Sequence, residues 1–227
     1  MSHLRVHAGF AMLAATAVAA ASGPPPMPFE EATMFVEQNA TDGDTEVVIS
    51  GTAGDDGLQL LTIKSPDGRT MATLRAPDLS TLGMREFHFE SPEPPGEAVL
   101  AAYPEGKYVL RGVSTTGEVF RTVLNLSHQL PAAATILHPA DEAELPARQP
   151  LTIRWSKVTG VAGYVLEFEN ESADPEQALT IDLGPNVTSW RIPAALLPPG
   201  GEFQIGIHSI AENGNIVVVE QTFTTGE

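Results

Sequence analysis

Five side chains within ten consecutive positions form the densest set of oxygen ligands in this sequence. They are Glu37, Asn39, Asp42, Asp44 and Glu46. In an extended or looped segment, carboxylate and amide oxygens at this spacing suit Ca²⁺, which takes six or more hard oxygen ligands. The spacing differs from an EF-hand loop, which needs a bidentate Glu at its twelfth position. The alternative is an acidic turn in which Asp42, Gly43 and Asp44 supply only turn chemistry.

The histidines and serines match no local catalytic signature. No His residue belongs to an HExxH motif, and no serine lies in a GxSxG motif. His88 lies between Phe87 and Phe89, and His208 follows Ile207, so strand periodicity predicts that both imidazoles point away from a core and are solvated or lightly paired. We therefore predict a protein that is not an enzyme. A hydrolase is the least favoured alternative, because triads assemble only in three dimensions.

Carbohydrate binding would require exposed aromatic side chains. The chain has 9 Phe, 3 Tyr and 2 Trp, and most of those in clear strands alternate with the apolar positions of a core. Trp190 is the exception, but Ile192 shares its face, which favours a core or rim position over a binding platform. An accessory protein that binds a polysaccharide or Ca²⁺ is thus the alternative to a structural or protein-binding role.

Short strands with turn residues between them must position these side chains. Apolar and polar residues alternate with a period of two in segments bounded by Gly, Pro, Asn and Asp. Two hairpins are predicted, with turns at residues 65–68 (SPDG) and at Thr116-Gly117. Residues 194–197 are predicted to form one helical turn at most, and no long helical period occurs. The sequence therefore predicts an all-β fold.

The first 22 residues have the pattern of a secretory signal peptide. Arg5 precedes an Ala-rich apolar run, and Ala19 and Ala21 offer a small-residue cleavage site. The run is shorter than the apolar segment that a transmembrane helix requires, and no later segment reaches that length. We predict a periplasmic or secreted protein with no membrane span after removal of the signal.

Composition excludes several partners and chemistries. The chain has no Cys, so disulfides, zinc-thiolate sites and thiol nucleophiles are ruled out. Its net charge is −17, from 29 Asp and Glu against 12 Lys and Arg. Such a charge repels nucleic acid and anionic lipid. A protein or another component of the cell envelope is the predicted partner.

The second half resembles a fibronectin type III module. LTIRWSKV, with Trp155, resembles the second strand of that family, GYVLEFE the third strand, and LLPPGGEFQIGIHS the corner that leads into strand F. The family usually has Tyr where Phe203 stands, with its hydroxyl bonded to the corner backbone, so the corner is predicted to rely on packing alone. The first half resembles the N-terminal portion of uncharacterised exported bacterial proteins that pair an NATDGDT-like stretch with such a module.

These observations predict two β-sandwich domains, immunoglobulin-like or fibronectin type III-like, in tandem. The predicted segments are a signal peptide (1–22), a Pro-rich lead (23–28), a β-sandwich-like domain of unknown role (29–128), a semi-rigid linker (129–134) and the fibronectin type III-like domain (135–227). The predicted function is that of an exported, non-catalytic interaction or structural protein. No cofactor is predicted other than the Ca²⁺ considered above.

Overall fold

The structure is a computed structural model that describes residues 25–76, 83–92, 96–175 and 177–227. The predicted signal peptide and the first two residues of the Pro-rich lead lie outside the described residues. No helix in the described part of the chain is long and apolar enough to cross a membrane. The fold is built from strands, which confirms the prediction of an all-β chain made of β-sandwiches.

The described residues of the first module form seven strands and one short helix. In chain order they are β1 (Glu31–Asn39), β2 (Thr45–Thr52), β3 (Leu58–Lys64), β4 (Thr70–Arg75), β5 (Glu86–Glu90), α1 (Gly96–Ala102), β6 (Gly106–Ser114) and β7 (Val119–Leu126). Strand β6 shows why these segments are extended: Tyr108 and Leu110 are fully buried, whereas Lys107 and Arg111, which flank them, are exposed. That period of two places one face on a core and the other in solvent.

The second module contains eight strands and a single 3₁₀ turn. The strands are β8 (Ile136–His138), β9 (Ala143–Leu145), β10 (Leu151–Trp155), β11 (Val161–Asn170), β12 (Gln177–Leu183), β13 (Ser189–Ile192), β14 (Glu202–Ala211) and β15 (Ile216–Thr225). The turn covers Ala194–Leu196, which agrees with the single helical turn expected there. Helix α1 in the first module was not predicted, because seven residues are too few to show a helical period.

Both predicted hairpins are present. Gly68 ends the turn between β3 and β4 with a φ of 85°, and its N–H donates to the carbonyl oxygen of Ser65. Gly117 has a φ of 91° in the turn between β6 and β7. Only glycine adopts such angles without strain, which is why these positions were informative in the sequence.

The two modules have the same strand order. In the first module one sheet is β1–β2–β5 and the other is β4–β3–β6–β7. In the second module, with β9 set aside, the sheets are β8–β10–β13 and β12–β11–β14–β15. Each module is therefore a sandwich of a three-stranded and a four-stranded sheet. Each has its own cluster of buried side chains, around Tyr108 in the first and around Trp155 in the second.

The four-stranded sheet of the second module continues into the three-stranded sheet of the first. Strand β15 pairs in parallel with β1, and the combined order is β12–β11–β14–β15–β1–β2–β5. We call this the joined sheet; β9 pairs with the far end of β15. The sequence did not predict this connection, because it links strands almost 180 residues apart.

Candidate functional site at the junction of the two modules

The junction is a parallel strand pair of three residues on each side. Glu37 lies opposite Ile216, Gln38 opposite Val217 and Asn39 opposite Val218. Directly paired residues share a face of the sheet. Gln38 has the parity of the core residues of β1, and Val217 has that of the core residues of β15, so both cores lie on the same side of the joined sheet.

Asn215 fastens the junction from the turn between β14 and β15. Its side chain is 1% exposed. Its Oδ1 accepts a hydrogen bond from the N–H of Val36 in β1 at 2.9 Å. Its Nδ2 donates to the carbonyl oxygens of Ser127 (2.8 Å) and Gln129 (3.0 Å). One buried amide thus ties the second module to the first strand of the first module and to the start of the linker.

Asn213 adds a second bond to the linker, since its Nδ2 donates to the carbonyl oxygen of Gln129 at 2.9 Å. In the sequence, residues 213–215 (NGN) have only the composition of a turn. Their side-chain amides, rather than their conformation alone, secure the linker.

A carboxylate and imidazole cluster lies on the outward face across the junction. Nε2 of His208 in β14 is 3.0 Å from Oε2 of Glu167 in β11. Nε2 of His208 forms no hydrogen bond of good geometry with a described residue, so this is a close polar contact between the two side chains. The His208 side chain is only 13% exposed. The predicted outward orientation is correct, and of the two predicted states, solvated or lightly paired, the structure shows the paired one against Glu167.

Burial raises the pKa of Glu37 above its ordinary value. The imidazole of His208 opposes this shift, whereas the carboxylates of Glu167, Glu90 and Glu220 reinforce it. Glu37 belongs to the first module, and His208 and Glu167 belong to the second. The electrostatics of the two modules are therefore coupled through this face of the joined sheet.

The five residues considered for Ca²⁺ lie around the turn between β1 and β2. They line one shallow cavity of about 170 Å³. Oδ1 of Asn39 accepts the N–H of Thr41 at 2.9 Å, and Oδ1 of Asp42 accepts the N–H of Asp44 at 2.9 Å. Among the residues that the structure describes, no three His, Asp or Glu side chains are arranged as metal ligands would be. The turn chemistry is thus visible, and Ca²⁺ binding stays a prediction.

The remaining histidine of interest, His88, lies opposite Ser50 on the outward face. Its Nε2 is 2.7 Å from Oε1 of Glu90, and its side chain is 60% exposed, as the strand periodicity predicted. The Ser50 hydroxyl is paired with that of Thr33 at 2.7 Å. The Ser50 hydroxyl thus has its hydrogen bond with Thr33 and none with His88, although a serine, a histidine and a carboxylate share this face.

Trp190 lies at the rim of the second module. It pairs with the core residue Ile153 from edge strand β13, yet it is 40% exposed. The other tryptophan, Trp155, is buried at 2% exposure. The rim position agrees with the expectation from Ile192, and one exposed ring does not form the aromatic row that sugar binding would use.

The corner beside Phe203 does not rely on packing alone. The ring stacks on Phe223 with centroids 4.8 Å apart, as expected from the absence of a hydroxyl. However, Oγ1 of Thr225 donates to the carbonyl oxygen of Pro198 and accepts the N–H of Gly201 at 2.9 Å. The prediction was wrong on this point, because a hydroxyl from the last strand bonds the corner backbone.

These features define the class of protein: two β-sandwich modules of one topology that share a sheet. No family model matches the chain, and no curated protein does. Solved structures with some likeness consist of fibronectin type III modules. The FN1–FN3 domains of chicken CNTN1 have a TM-score of 0.36 at 10% identity, over 88% of this chain and 68% of that one.

Two further structures cover similar shares of the chain. A two-domain fibronectin type III segment of chicken tenascin has a TM-score of 0.29 at 13% identity, over 86% of this chain and 97% of that one. The fibronectin(III)-like modules of Clostridium thermocellum CbhA have a TM-score of 0.34 at 9% identity, over 86% and 95%. At these values the likeness carries no argument about function.

Proposed function

We propose that the protein is an exported, non-catalytic interaction or structural protein that holds two β-sandwich modules in a fixed arrangement. The shared sheet is the observation that carries this proposal. Modules joined by a linker move relative to one another unless a substantial interface prevents it. Here the β1–β15 pairing and the buried Asn215 side chain supply backbone and side-chain bonds that resist such motion. The result is one continuous surface, suited to presenting a fixed face to a partner.

Two other observations support the proposal. Export rests on the signal pattern of residues 1–22. The non-catalytic role is supported by the placement of Ser50, whose hydroxyl pairs with Thr33, and by that of His208, which is buried against Glu167.

The function is tested by comparing the wild type with Asn215→Ala in two assays. Small-angle scattering should give one compact particle for the wild type and a broader, more extended ensemble for the variant. Immobilised wild-type protein should retain a component of the envelope or secreted fraction that the variant binds less well. A wild type that scatters as two freely moving modules would contradict the proposal. So would turnover of ester or glycoside substrates that is lost in Ser50→Ala.

Export has its own test. A fusion of residues 1–28 to a reporter enzyme that is active only outside the cytoplasm should be active and should lose its leader. A cytoplasmic, uncleaved fusion would remove export from the proposal.

A second proposal is Ca²⁺ binding at the turn between β1 and β2, favoured by the single cavity that all five candidate residues line. Titration calorimetry with millimolar Ca²⁺ should release or absorb heat and raise the melting temperature. Asp42→Asn with Asp44→Asn should abolish both effects. Absence of heat and of a thermal shift in the wild type would exclude this site.

A further inference from the structure

Charged residues are segregated between the two sides of the molecule. The seven strands of the joined sheet contain ten Asp and Glu residues and no Lys or Arg. These carboxylates are Glu31, Glu37, Glu46, Glu86, Glu90, Glu167, Glu169, Asp182, Glu202 and Glu220. All ten stand at outward positions of their strands. We call this face the acidic side.

The opposing sheets show the reverse pattern. The strands of β4–β3–β6–β7 and β8–β10–β13 contain seven Lys and Arg residues and no Asp or Glu. They are Lys64, Arg75, Lys107, Arg111, Arg121, Arg154 and Arg191. Every one is exposed and faces away from the cores. Since both cores lie on one side of the joined sheet, these residues form a basic side opposite the acidic side.

The charges of the basic side have no partner among the residues that the structure describes. None of the seven side chains makes an ion pair or a side-chain hydrogen bond with another described residue. Arg111 and Arg121 lie directly opposite each other on β6 and β7. Like charges in directly opposed positions destabilise a sheet, so this pair lowers the stability of the isolated molecule. Seven of the 12 Lys and Arg residues of a chain with net charge −17 thus lie where the fold does not use them.

The shape of the basic side selects among anionic partners. The positive charges are spread over four neighbouring strands in the first module and do not follow a groove, as a linear polyanion would require. A flat anionic membrane is opposed by the large negative charge of the rest of the chain. An acidic protein surface that is itself a sheet offers the closest match, because strands in both surfaces repeat at about 4.8 Å.

We propose that the basic side of one molecule docks on the acidic side of a second copy of this chain. The chain itself supplies both surfaces, with seven strands on each side. Seven strands at about 4.8 Å, each contributing about six residues, cover roughly 700 Å². This approaches the 800 Å² or so per partner of an ordinary specific interface. Because the two surfaces differ, the contact is heterologous, and it propagates into stacks unless rotation closes a ring.

The net negative charge of each copy predicts an unusual dependence on salt. At about 0.01 M salt the Debye length is about 30 Å, so the whole molecules repel. At about 0.15 M it is about 8 Å, which screens distant charges more than pairs in contact. At about 1 M the contacts themselves are weakened. Association should therefore be strongest at intermediate salt.

This contact rests on the proposed interaction role and names the partner as a second copy of the chain. Sedimentation velocity of the purified protein tests the self-association. The average sedimentation coefficient should rise with concentration into the hundreds of micromolar at intermediate salt. Arg111→Glu with Arg121→Glu should weaken association by at least about tenfold, the equivalent of two lost charge contacts. Arg148→Glu with Lys157→Glu, in loops outside these strands, makes the same change in net charge and should leave association near that of the wild type.

Mixing two variants, each with one altered surface, provides the most decisive test. Glu86→Lys with Asp182→Lys reverses one exposed carboxylate at each end of the joined sheet and should also prevent association. A mixture of this variant with Arg111→Glu/Arg121→Glu retains one intact surface of each kind, so it should form 1:1 dimers that do not grow further. Circular dichroism and thermal unfolding confirm that each variant is folded.

A wild type that stays monomeric at every salt concentration would overturn the proposal, as would basic-side and loop variants that associate equally. Binding of the monomer to heparin or to anionic vesicles, lost in Arg111→Glu/Arg121→Glu, would instead assign the basic side to a polyanion or a membrane. Neither result alters the scattering comparison of Asn215→Ala when it is made at about 0.01 M salt, where the copies repel one another. Failure of this inference is therefore distinguishable from failure of the proposed function.

Discussion

The two modules share one strand order but secure the same corner differently. In the first module, the Tyr108 hydroxyl near the start of the sixth strand, β6, donates to the carbonyl oxygen of Pro104 at 2.9 Å. In the second module, Phe203 occupies the corresponding place in β14, and Thr225 of β15 bonds the corner backbone instead. The topology therefore fixes where a corner must be tied but not which strand supplies the hydroxyl.

The modules also differ in what their last hairpin does. In the first module the turn between β6 and β7 bonds within its own module: Thr116 Oγ1 is paired to Ser114 Oγ at 2.8 Å, and Thr115 Oγ1 donates to the carbonyl oxygen of Asp56 at 2.8 Å. In the second module the corresponding turn carries Asn215, which reaches into the other module. A tandem of like modules thus becomes a single body through a few residues in one of them.

The largest expected loss of stability comes from replacing Asn215, the residue that makes the last hairpin of the second module differ from that of the first. Asn215→Ala leaves the N–H of Val36 and the carbonyl oxygen of Ser127 without this partner, and each buried unsatisfied group costs roughly 1–3 kcal/mol. The carbonyl oxygen of Gln129 keeps its bond from Asn213. We expect a loss of about 3–5 kcal/mol in the free energy of unfolding, measured by urea denaturation. Thr116→Ala, at the matching turn of the first module, should cost less than about 1 kcal/mol because its side chain is exposed. Equal losses in the two variants would contradict the role assigned to Asn215.

Thr225→Val tests how much the Thr225 hydroxyl contributes to the stability of the second module's corner. The substitution keeps the volume and removes a hydroxyl that both donates and accepts a hydrogen bond, so we expect a loss of about 2 kcal/mol. Thermal or urea unfolding measures it. A loss no larger than that of an exposed Thr→Val change, such as Thr224→Val, would show that packing around Phe203 suffices.

Tyr108→Phe gives the first corner the same residue as the second. The substitution supplies no hydroxyl to do there what Thr225 does in the second module. We expect a loss of about 1 kcal/mol, from one hydrogen bond to Pro104. Burial raises the pKa of Tyr108 to about 12, in agreement with a phenol that stays protonated and donates. An unchanged unfolding midpoint would mean that this bond does not contribute.

The smallest expected effect concerns the electrostatic coupling of the modules. Because the pKa of Glu37 is raised on folding, its contribution to stability is greatest below its ordinary value of 4.5 and is lost as the pH rises through the raised pKa. Glu37→Gln, which is neutral at every pH, should therefore raise the melting temperature at pH 7 and have little effect near pH 4. An effect of equal size at both values would show that the carboxylate charge is not responsible.

The sequence predicted what is local and missed what is distant. Period-two alternation and Gly in turns identified both hairpins and the outward direction of His88 and His208. The burial of His208 depends on the neighbouring strands of the joined sheet, which no local pattern records. Asn215 was visible only as a turn residue, because its partner Val36 lies 179 positions away.

The candidate site was predicted only in part, for a similar reason. Glu37 was singled out as an oxygen ligand from its spacing to Asp42 and Asp44. Its contact with the second module follows from the parallel pairing of β1 with β15, which lies beyond any sequence window. The charge segregation was also present in the sequence, but it becomes readable only when strands are assigned to sheets.

The pairing of β1 with β15 joins the two modules, and the amide of Ala40 reports on it most directly. Ala40 is an exposed residue, and its N–H donates to the carbonyl oxygen of Val218 at 2.8 Å. Hydrogen exchange followed by NMR should show this amide protected in the wild type and exchanging rapidly in Asn215→Ala. Rapid exchange of the Ala40 amide in the wild type, with the amides inside each module still protected, would show that the two modules do not share a sheet.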